Sequence, residues 1–373
     1  MKSLVEGWAR PLSAASLVLL SAVTAVAQPP AGEYPYFPLD SPWTQDITNA
    51  PVDSESTTVI NWLAAQSTSG GFNGAPQGWG VNQVDFTIEV LEVNSGNAGT
   101  SPFRSFTTTG DFWSPDCDHV QVPIPQGGAI EGETGYECES DGDCHLLVVY
   151  RPASLLYEMW RANIDATNTF YGGCMAVWDL RLTYPPESRG QNCSSADAAG
   201  YPIAPLLFNA DEVAAGAINH AIRFVLPNNR IRDGIYVHPA THSTGPTSGP
   251  AQAPPYGTRL RLRASYPLQN LTAGAQVVAQ AMQKYGILLS DGGNLAWTAQ
   301  SDRFTTNKWG HGAGTVNFDI NDLDRIGAGD FEMIAAGPRY NWNVPDNDCV
   351  RTTPVFNDSF ELPILTKWAA RWP

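Results

Sequence analysis

Two histidines, His238 and His242, lie four positions apart in the segment GIYVHPATHST (234–244). Histidines at this spacing bind one zinc ion when they share a helix face, but a residue that precedes proline avoids helical backbone angles. On an extended strand, residues four apart point the same way yet lie roughly 13 Å from one another. The spacing therefore favours a strand end that enters a loop over shared metal ligation. His238 stays a weak metal candidate, and His242 is the histidine that we expect to line a catalytic site.

Two further histidines occur in strand-like segments. In INHAIRF, His220 shares a face with apolar neighbours, which is typical of a core histidine and also fits a catalytic histidine in a cleft wall. In DGDCHL, Asp143 and His145 stand two apart on one face, so the carboxylate could orient the imidazole or help to hold a cation. An acidic turn closed by a disulfide explains the second pattern equally well.

Two carboxylates stand inside apolar segments that also contain tryptophan: Glu158 in LLYEMWRA and Asp179 in AVWDLRL. Trp160 shares a face with Glu158, and Trp178 adjoins Asp179. Glycoside hydrolysis needs two carboxyl groups, one to donate a proton and one to act as base or nucleophile, and apolar surroundings raise the pKa of the acid. We therefore predict Glu158 and Asp179 as catalytic residues and the two tryptophans as substrate contacts. Salt bridges with arginines close by in sequence are the structural alternative.

Asp197 and Arg223 complete the set of candidate substrate-binding residues. Asp197 lies in the small-residue loop CSSADAAGYPIAP, where it either caps a turn or contacts substrate. Arg223 points away from the face of its strand that carries His220. A polysaccharide lyase would use His220 or His242, together with a tyrosine and Arg223, to remove a proton next to a uronate carboxylate.

Six cysteines follow the N-terminal segment, and an even number in an exported chain favours three disulfides. Cys138 and Cys144 bracket a tight acidic turn and are predicted to pair. Pairing Cys174 with Cys193 across a longer loop then leaves Cys117 with Cys349. A zinc site is less favoured because the cysteines form no CxxC pair.

Composition limits the classes of partner. The 373-residue chain carries a net charge of −16, and only 16% of its residues are charged. Such a surface repels nucleic acid and acidic membranes and, more weakly, anionic polysaccharides. The 12 tryptophans and 13 tyrosines suit a polysaccharide or oligosaccharide partner, since the apolar faces of sugars stack on aromatic rings. Extracellular β-proteins are often acidic and aromatic-rich for other reasons.

The N-terminus predicts export. Basic residues, a short apolar run and the small residues Ala25 and Ala27 describe a secretory signal peptide over residues 1–27. The run is shorter than a membrane-spanning helix, and no later stretch is long and apolar enough to be one. An extended lead-in (28–40), a single β-rich domain (41–349) and a C-terminal tail (350–373) follow.

Most segments of the domain alternate apolar and polar residues, as in VDFTIEVLEV, and Gly-, Pro-, Asn- and Asp-rich turns separate them. This pattern predicts a mostly β fold, an antiparallel β-sandwich or jelly roll. Helical spacing appears only at 57–66, 211–219 and 273–286. We expect two or three short helices.

Several segments together resemble a widespread family of secreted bacterial proteins that has no assigned activity. They are DGDCHLLVVY, LYEMWRANI, AVWDLR, SSADAAGYPIAPLLF, INHAIRF, YVHPATH and QSDRFTT, within about residues 41–349. The resemblance implies export and a single domain, and it transfers no mechanism.

These patterns favour a secreted carbohydrate-active enzyme, a glycoside hydrolase acting on a neutral extracellular polysaccharide. A non-catalytic glycan-binding or cell-surface structural protein is the first alternative. A polysaccharide lyase or a metal-dependent enzyme built on the histidines is the next. We expect no cofactor, while a bound divalent metal and the oligomeric state stay open.

Overall fold

The structure, a computed structural model, describes residues 36–140, 142–343 and 348–353. The predicted signal peptide and most of the predicted lead-in and tail lie outside these ranges. The regular structure is mostly strand, with 26% strand against 15% helix, so the mostly β prediction is confirmed. Among the described residues, no helix has the length and apolar character that a membrane span requires.

The described part of the chain contains three α-helices, in agreement with the prediction. They are α1 Ser56–Ala64, α2 Ala210–Ala215 and α3 Ala273–Lys284. Helix α2 starts at a capping box and ends at Gly216, whose φ of 78° favours glycine. It stops earlier than its sequence pattern predicts for this reason. A short 3₁₀ helix, Ala204–Leu206, follows the loop that carries Asp197, and its first N–H groups contact Glu158.

Nineteen strands, most of them short, make up the β structure. They are β1 Val81–Ile88, β2 Val90–Val93, β3 Phe103–Arg104, β4 Thr107–Thr108, β5 Val122–Pro123, β6 Leu146–Tyr150, β7 Leu155–Met159, β8 Asn163–Ile164, β9 Phe170–Gly172, β10 Met175–Asp179, β11 Gly190–Gln191, β12 Ile222–Leu226, β13 Ile235–Tyr236, β14 Arg259–Leu262, β15 Ile287–Gly292, β16 Leu295–Gln300, β17 Phe331–Met333, β18 Tyr340–Asn341 and β19 Val350–Arg351.

The largest sheet has six strands in the order β1-β16-β12-β15-β14-β17. Strands β1 and β16 are parallel, as are β12 and β15, and the other neighbours are antiparallel. The prediction of purely antiparallel pairing was therefore wrong. Alternation along a strand reports which face is buried and carries no information on the direction of its neighbours.

A four-stranded sheet, β10-β7-β6-β2, lies between two hydrophobic cores. Leu156 and Ala176 face the larger core, whereas Tyr157 and Val177 face the smaller one. Because both faces are covered, β6 and β10 have almost unbroken apolar sequences instead of alternating ones. The described residues form several sheets, and none of these is closed.

All six cysteines form disulfides, but two of the predicted pairings were wrong. Cys138 pairs with Cys144 as predicted. The other bridges are Cys117–Cys174 and Cys193–Cys349. The backbone N–H of Asp118, beside Cys117, donates to the carbonyl of Met175, beside Cys174. Strand β11, just before Cys193, pairs with β19, just after Cys349, which lies 156 residues further along the chain. Such long-range pairing is not visible in local loop lengths.

Candidate functional site

A cavity of about 620 Å³ opens among the loops that leave several strands. We call it the aspartate cavity. Five aspartates, four aromatic rings and a histidine line it, and small or amide residues make up the rest of the wall. The aspartates are Asp116, Asp143, Asp197, Asp291 and Asp348, and the rings belong to Trp113, Trp160, His242, Tyr256 and Trp342. No lysine or arginine side chain is among the described residues that line it.

Strand ends place the two aspartates that matter most for chemistry. Asp291 is near the end of β15, and Asp143 lies three residues before β6. Asp291 is half-buried, with 22% of its side chain exposed, and Asp143 is exposed. Both carboxyl groups are therefore accessible from the cavity. Burial raises the pKa of Asp291, and the charge of Asp143 adds to this rise while Arg223 opposes it.

Arg223, on β12, lies buried behind the cavity and binds two carboxyl groups with one nitrogen. Its Nη2 donates to Asp197 Oδ1 at 2.8 Å and to Asp291 Oδ2 at 2.9 Å. Burial raises the pKa of Asp197 to about 8 against the effect of Arg223, and the charge of Asp291 contributes. Because burial and the second carboxyl group outweigh the effect of Arg223 on Asp197, the pair retains a proton near neutral pH.

The loop that carries Asp197 is held from several sides. Its Asp197 N–H donates to Ser195 Oγ at 3.0 Å, and Ala199 N–H donates to the carbonyl of Ser290 at 2.9 Å. The loop is thus fixed directly to β15, next to Asp291. Asp197 is 1% exposed, and its Oδ2 has no hydrogen-bond partner among the described residues.

A buried histidine and a half-buried glutamate lie behind the same loop. His145 Nδ1 and Glu131 Oε2 are 2.6 Å apart, and His145 Nε2 is 3.0 Å from the carbonyl of Ala196. Burial opposes protonation of His145, but the charge of Glu131 raises the pKa of the ring to about 9. The ring is therefore a cation at neutral pH and donates both of its N–H groups.

Tryptophan rings form the apolar part of the wall. Trp113 and Trp160 stack with 19° between their planes, and Trp113 is 46% exposed. Trp160 Nε1 donates to Asp143 Oδ1 at 3.0 Å, which fixes the ring beside that carboxylate. Flat, partly exposed rings next to carboxylates can stack on a sugar face while the oxygens accept its hydroxyl groups.

His242 lines the cavity, and the pKa of its ring is shifted in the direction opposite to that of His145. Its ring lies edge-on to Trp342 at 4.9 Å, and its Nδ1 donates to the carbonyl of Ala198 at 2.9 Å. Burial lowers the pKa of His242, so the ring is neutral at neutral pH. It can accept a hydrogen bond through Nε2.

The structure brings several predicted residues together. Asp143, Trp160, Asp197 and His242 all line the aspartate cavity. Arg223 and His145 lie directly behind it, bound to Asp197 and to the carbonyl that precedes it.

Glu158 and Asp179 are not brought together, which corrects their assignment as one catalytic pair. Glu158 pairs with Ala176 and so faces the larger core, whereas Asp179 pairs with Leu155, on the face of the smaller core. The two side chains therefore point to opposite faces of one sheet.

Each of these two carboxylates has a structural partner. Glu158 is fully buried, and its Oε1 accepts the N–H groups of Ile203 and Ala204 at 2.8 Å, at the start of the short 3₁₀ helix. Burial raises the pKa of Glu158 to about 7. Asp179 Oδ2 binds Arg181 Nη2 at 2.6 Å, the salt bridge that the sequence offered as the alternative.

Three other predicted residues lie outside the cavity wall. His220 is buried against Glu212, with 3.2 Å between Nε2 and Oε1. His238 contacts Gln191 and stacks on Tyr340, whose ring centroid is 4.4 Å away. Trp178 is fully buried in the larger core and cannot contact a substrate.

The weak metal candidates do not converge on a metal site. Among the described residues, the one group of three potential ligands within binding distance is Glu133, Cys138 and Cys144. The sulfurs of the two cysteines are bonded to each other, so they do not offer thiolates to an ion. Asp143, His145 and His238 are not part of this group.

Sequence reasoning missed Asp291 and the outer wall of the cavity. Asp291 ends the buried strand ILLSDG, and a charged residue at that point was a usable signal. Trp113, Asp116, Trp342 and Asp348 lie in loops or beside two-residue strands, where periodicity gives no indication of what they face.

Comparisons of the chain with protein-family models, with curated proteins and with solved structures gave no match. The resemblance to secreted bacterial proteins therefore stays a prediction.

Proposed function

We propose that the chain is a glycoside hydrolase that cleaves a neutral polysaccharide in the aspartate cavity. The observation that carries the proposal is the presence of two accessible carboxyl groups in different environments, Asp291 and Asp143, in one tryptophan-walled cavity. Glycoside hydrolysis uses two carboxyl groups, one as the acid and one as the base or nucleophile. The pair replaces Glu158 and Asp179.

Asp291 is the proton donor in this proposal. It shares Arg223 with Asp197, and burial raises the pKa values of both carboxyl groups. A proton is therefore available at neutral pH, and Asp291 is the more exposed member that can deliver it. The proton passes to the glycosidic oxygen as the bond from that oxygen to the anomeric carbon breaks.

Asp143 is the second carboxylate. It is exposed and fixed by the indole N–H of Trp160, so it presents negative charge beside the ring on which a sugar would stack. That charge stabilises the cationic anomeric carbon of the transition state. Water supplies the hydroxyl group that ends on this carbon, and its remaining proton returns to the carboxyl groups.

The charges of the cavity favour a neutral glycan over a uronate-containing one. Five aspartates line the wall, and Arg223 is already bound to two of them. A lyase needs a cation that is free to neutralise the uronate carboxylate, and Arg223 does not meet this requirement. The cavity volume also falls in the range of small-ligand sites, about 300–1,000 Å³, which suits a short stretch of a glycan chain.

The setting of the proposed activity is extracellular. Three disulfides are typical of chains that fold in an oxidising compartment. Together with the predicted signal peptide, they support export as part of the proposal. Polysaccharides are substrates that such a compartment offers.

Paired substitutions test the assignment of the carboxylates. We expect Asp291→Asn and Asp143→Asn each to reduce kcat by about 10²–10⁴-fold on the best-cleaved glycan, because each removes one acid–base group. Glu158→Gln and Asp179→Asn are the matched controls, and we expect them to retain kcat within a few-fold. Loss of activity in the controls with activity retained in the two cavity variants would refute the assignment.

A further inference from the structure

Buried His145 and its half-buried partner Glu131 do not line the aspartate cavity, yet His145 bonds the loop that forms part of its wall. His145 is 3% exposed, and its two ring nitrogens bind Glu131 Oε2 and the carbonyl of Ala196. Ala196 directly precedes Asp197 in the chain. Burying an ion pair is costly unless its hydrogen bonds are complete, and here both N–H groups of the ring have an acceptor.

His145 also joins the two halves of the cavity. It lies one residue before β6 and two residues after Asp143, while the loop of Asp197 is fixed to β15 beside Asp291. The contact from His145 to Ala196 thus links the segment that carries one proposed catalytic carboxylate to the segment that supports the other. Glu131 bonds the His145 backbone N–H as well, at 3.3 Å.

We propose that His145 is a positioning residue of the aspartate cavity: as a cation held by Glu131, it fixes the Ala196 carbonyl and sets the charge balance of Asp197 and Asp291. The inference rests on the proposed function for its catalytic meaning. The effect of the cation on the carboxyl pair is measured by NMR titration, which needs no glycan.

Charged and titratable groups surround Asp197 from every element packed against it. Arg223, Asp291 and His145 act directly on its charge, and Tyr201 and Tyr256 interact with it from the other sides. Glu131 and Asp143 act on His145 in turn. The positive charge of His145 lowers the pKa values of Asp197 and Asp291, so removing that charge should let both rise further.

The chain contains a matched control for this pair. His220 and Glu212 form a second buried histidine–glutamate pair, and the ring also bonds a backbone carbonyl, that of Ala221. Neither residue lines the aspartate cavity. Removing either histidine should weaken folding, but only His145 should affect the cavity carboxyl groups.

The experiment is a carbon-13 NMR titration of aspartate carboxyl groups in the whole protein and in His145→Gln, Glu131→Gln and His220→Gln. Glutamine at 145 retains a donor that can reach Ala196 and removes the charge. We expect the titration midpoint of Asp197 to rise by about one pH unit or more in His145→Gln and to stay unchanged in His220→Gln. If His145→Gln does not fold, Glu131→Gln gives the same test, since it retains the ring and lowers its pKa. The Asp197 midpoint should then rise once the ring loses its proton.

An unchanged Asp197 midpoint in both His145→Gln and Glu131→Gln, or an equal rise in His220→Gln, would overturn the inference. With a cleavable glycan, the alkaline limb of the kcat profile should move upward in parallel in His145→Gln. If no glycan is cleaved but the Asp197 midpoint rises, the proposed function fails and the electrostatic role of His145 stands.

Discussion

At the scale of single residues, burial of a carboxyl group does not by itself mark a catalytic site. Glu158 and Asp197 are both fully covered by protein and both have raised pKa values. Glu158 faces a packed core and accepts two backbone N–H groups, whereas Asp197 lines a cavity and shares Arg223 with an accessible neighbour. What covers the carboxyl group decides its role.

Glu158→Gln should separate these two roles by its effect on stability. The pKa of Glu158 is about 7 in the folded chain against an ordinary value of 4.5, so its stabilising contribution is complete below pH 4.5 and is lost as the pH rises to 7. The glutamine retains an acceptor for both N–H groups and cannot ionise. We expect the variant to exceed the wild type by about 3 kcal/mol in free energy of unfolding at pH 8 and to match it at pH 4.

Urea unfolding at the two pH values measures this difference. The kcat of the variant on the best glycan is the control, since it should stay within a few-fold of the wild type. A variant less stable than the wild type at pH 8 would show that Glu158 is ionised and bound by a cation when folded. That result would contradict the structural role given to it.

At the scale of elements, long-range pairing builds the cavity wall. Strands β11 and β19 are far apart in the sequence but pair with each other, and the disulfide Cys193–Cys349, which closes a loop of 156 residues, holds them together. Cys349 itself lines the aspartate cavity, as does the neighbouring Asp348. The disulfide therefore supports both the fold and one side of the proposed site.

Removing Cys193–Cys349 should cost far more than removing Cys138–Cys144. The loops that they close span 156 and 6 residues, which the chain-entropy model translates into about 5 and about 2 kcal/mol. We expect the double serine variant of the first bridge to unfold at lower urea concentration and also to bind glycan more weakly, because its wall loses an anchor. Equal stability losses, or unchanged glycan affinity in the first variant, would contradict this role.

Sequence patterns predicted the helices, several of the longer strands and part of the site. Periodicity identifies the buried face of a strand, and Trp160 stood out beside such a face, whereas Asp197 stood out as a carboxylate in a loop of small residues. It does not say which element covers that face. Glu158 was therefore assigned to a cleft when the 3₁₀ helix at Ala204–Leu206 covers it.

At the scale of the whole molecule, acidity and aromatic content agree with the cavity found. A chain of net charge −16 places five aspartates around one site, and Arg223 behind it is bound to two of them. Neutral glycans meet no electrostatic barrier there, whereas uronate-rich ones do. The same charge opposes binding of nucleic acid, as the composition predicts.

The most direct test of the central claim is incubation of the purified protein with a panel of neutral and uronate-containing polysaccharides. New reducing ends and the absorbance of unsaturated products are recorded together. We predict new reducing ends from at least one neutral polysaccharide, without unsaturated products and with loss of the signal in Asp291→Asn. Unsaturated products from uronate-containing chains, or no cleavage of any polysaccharide in the panel, would contradict the account.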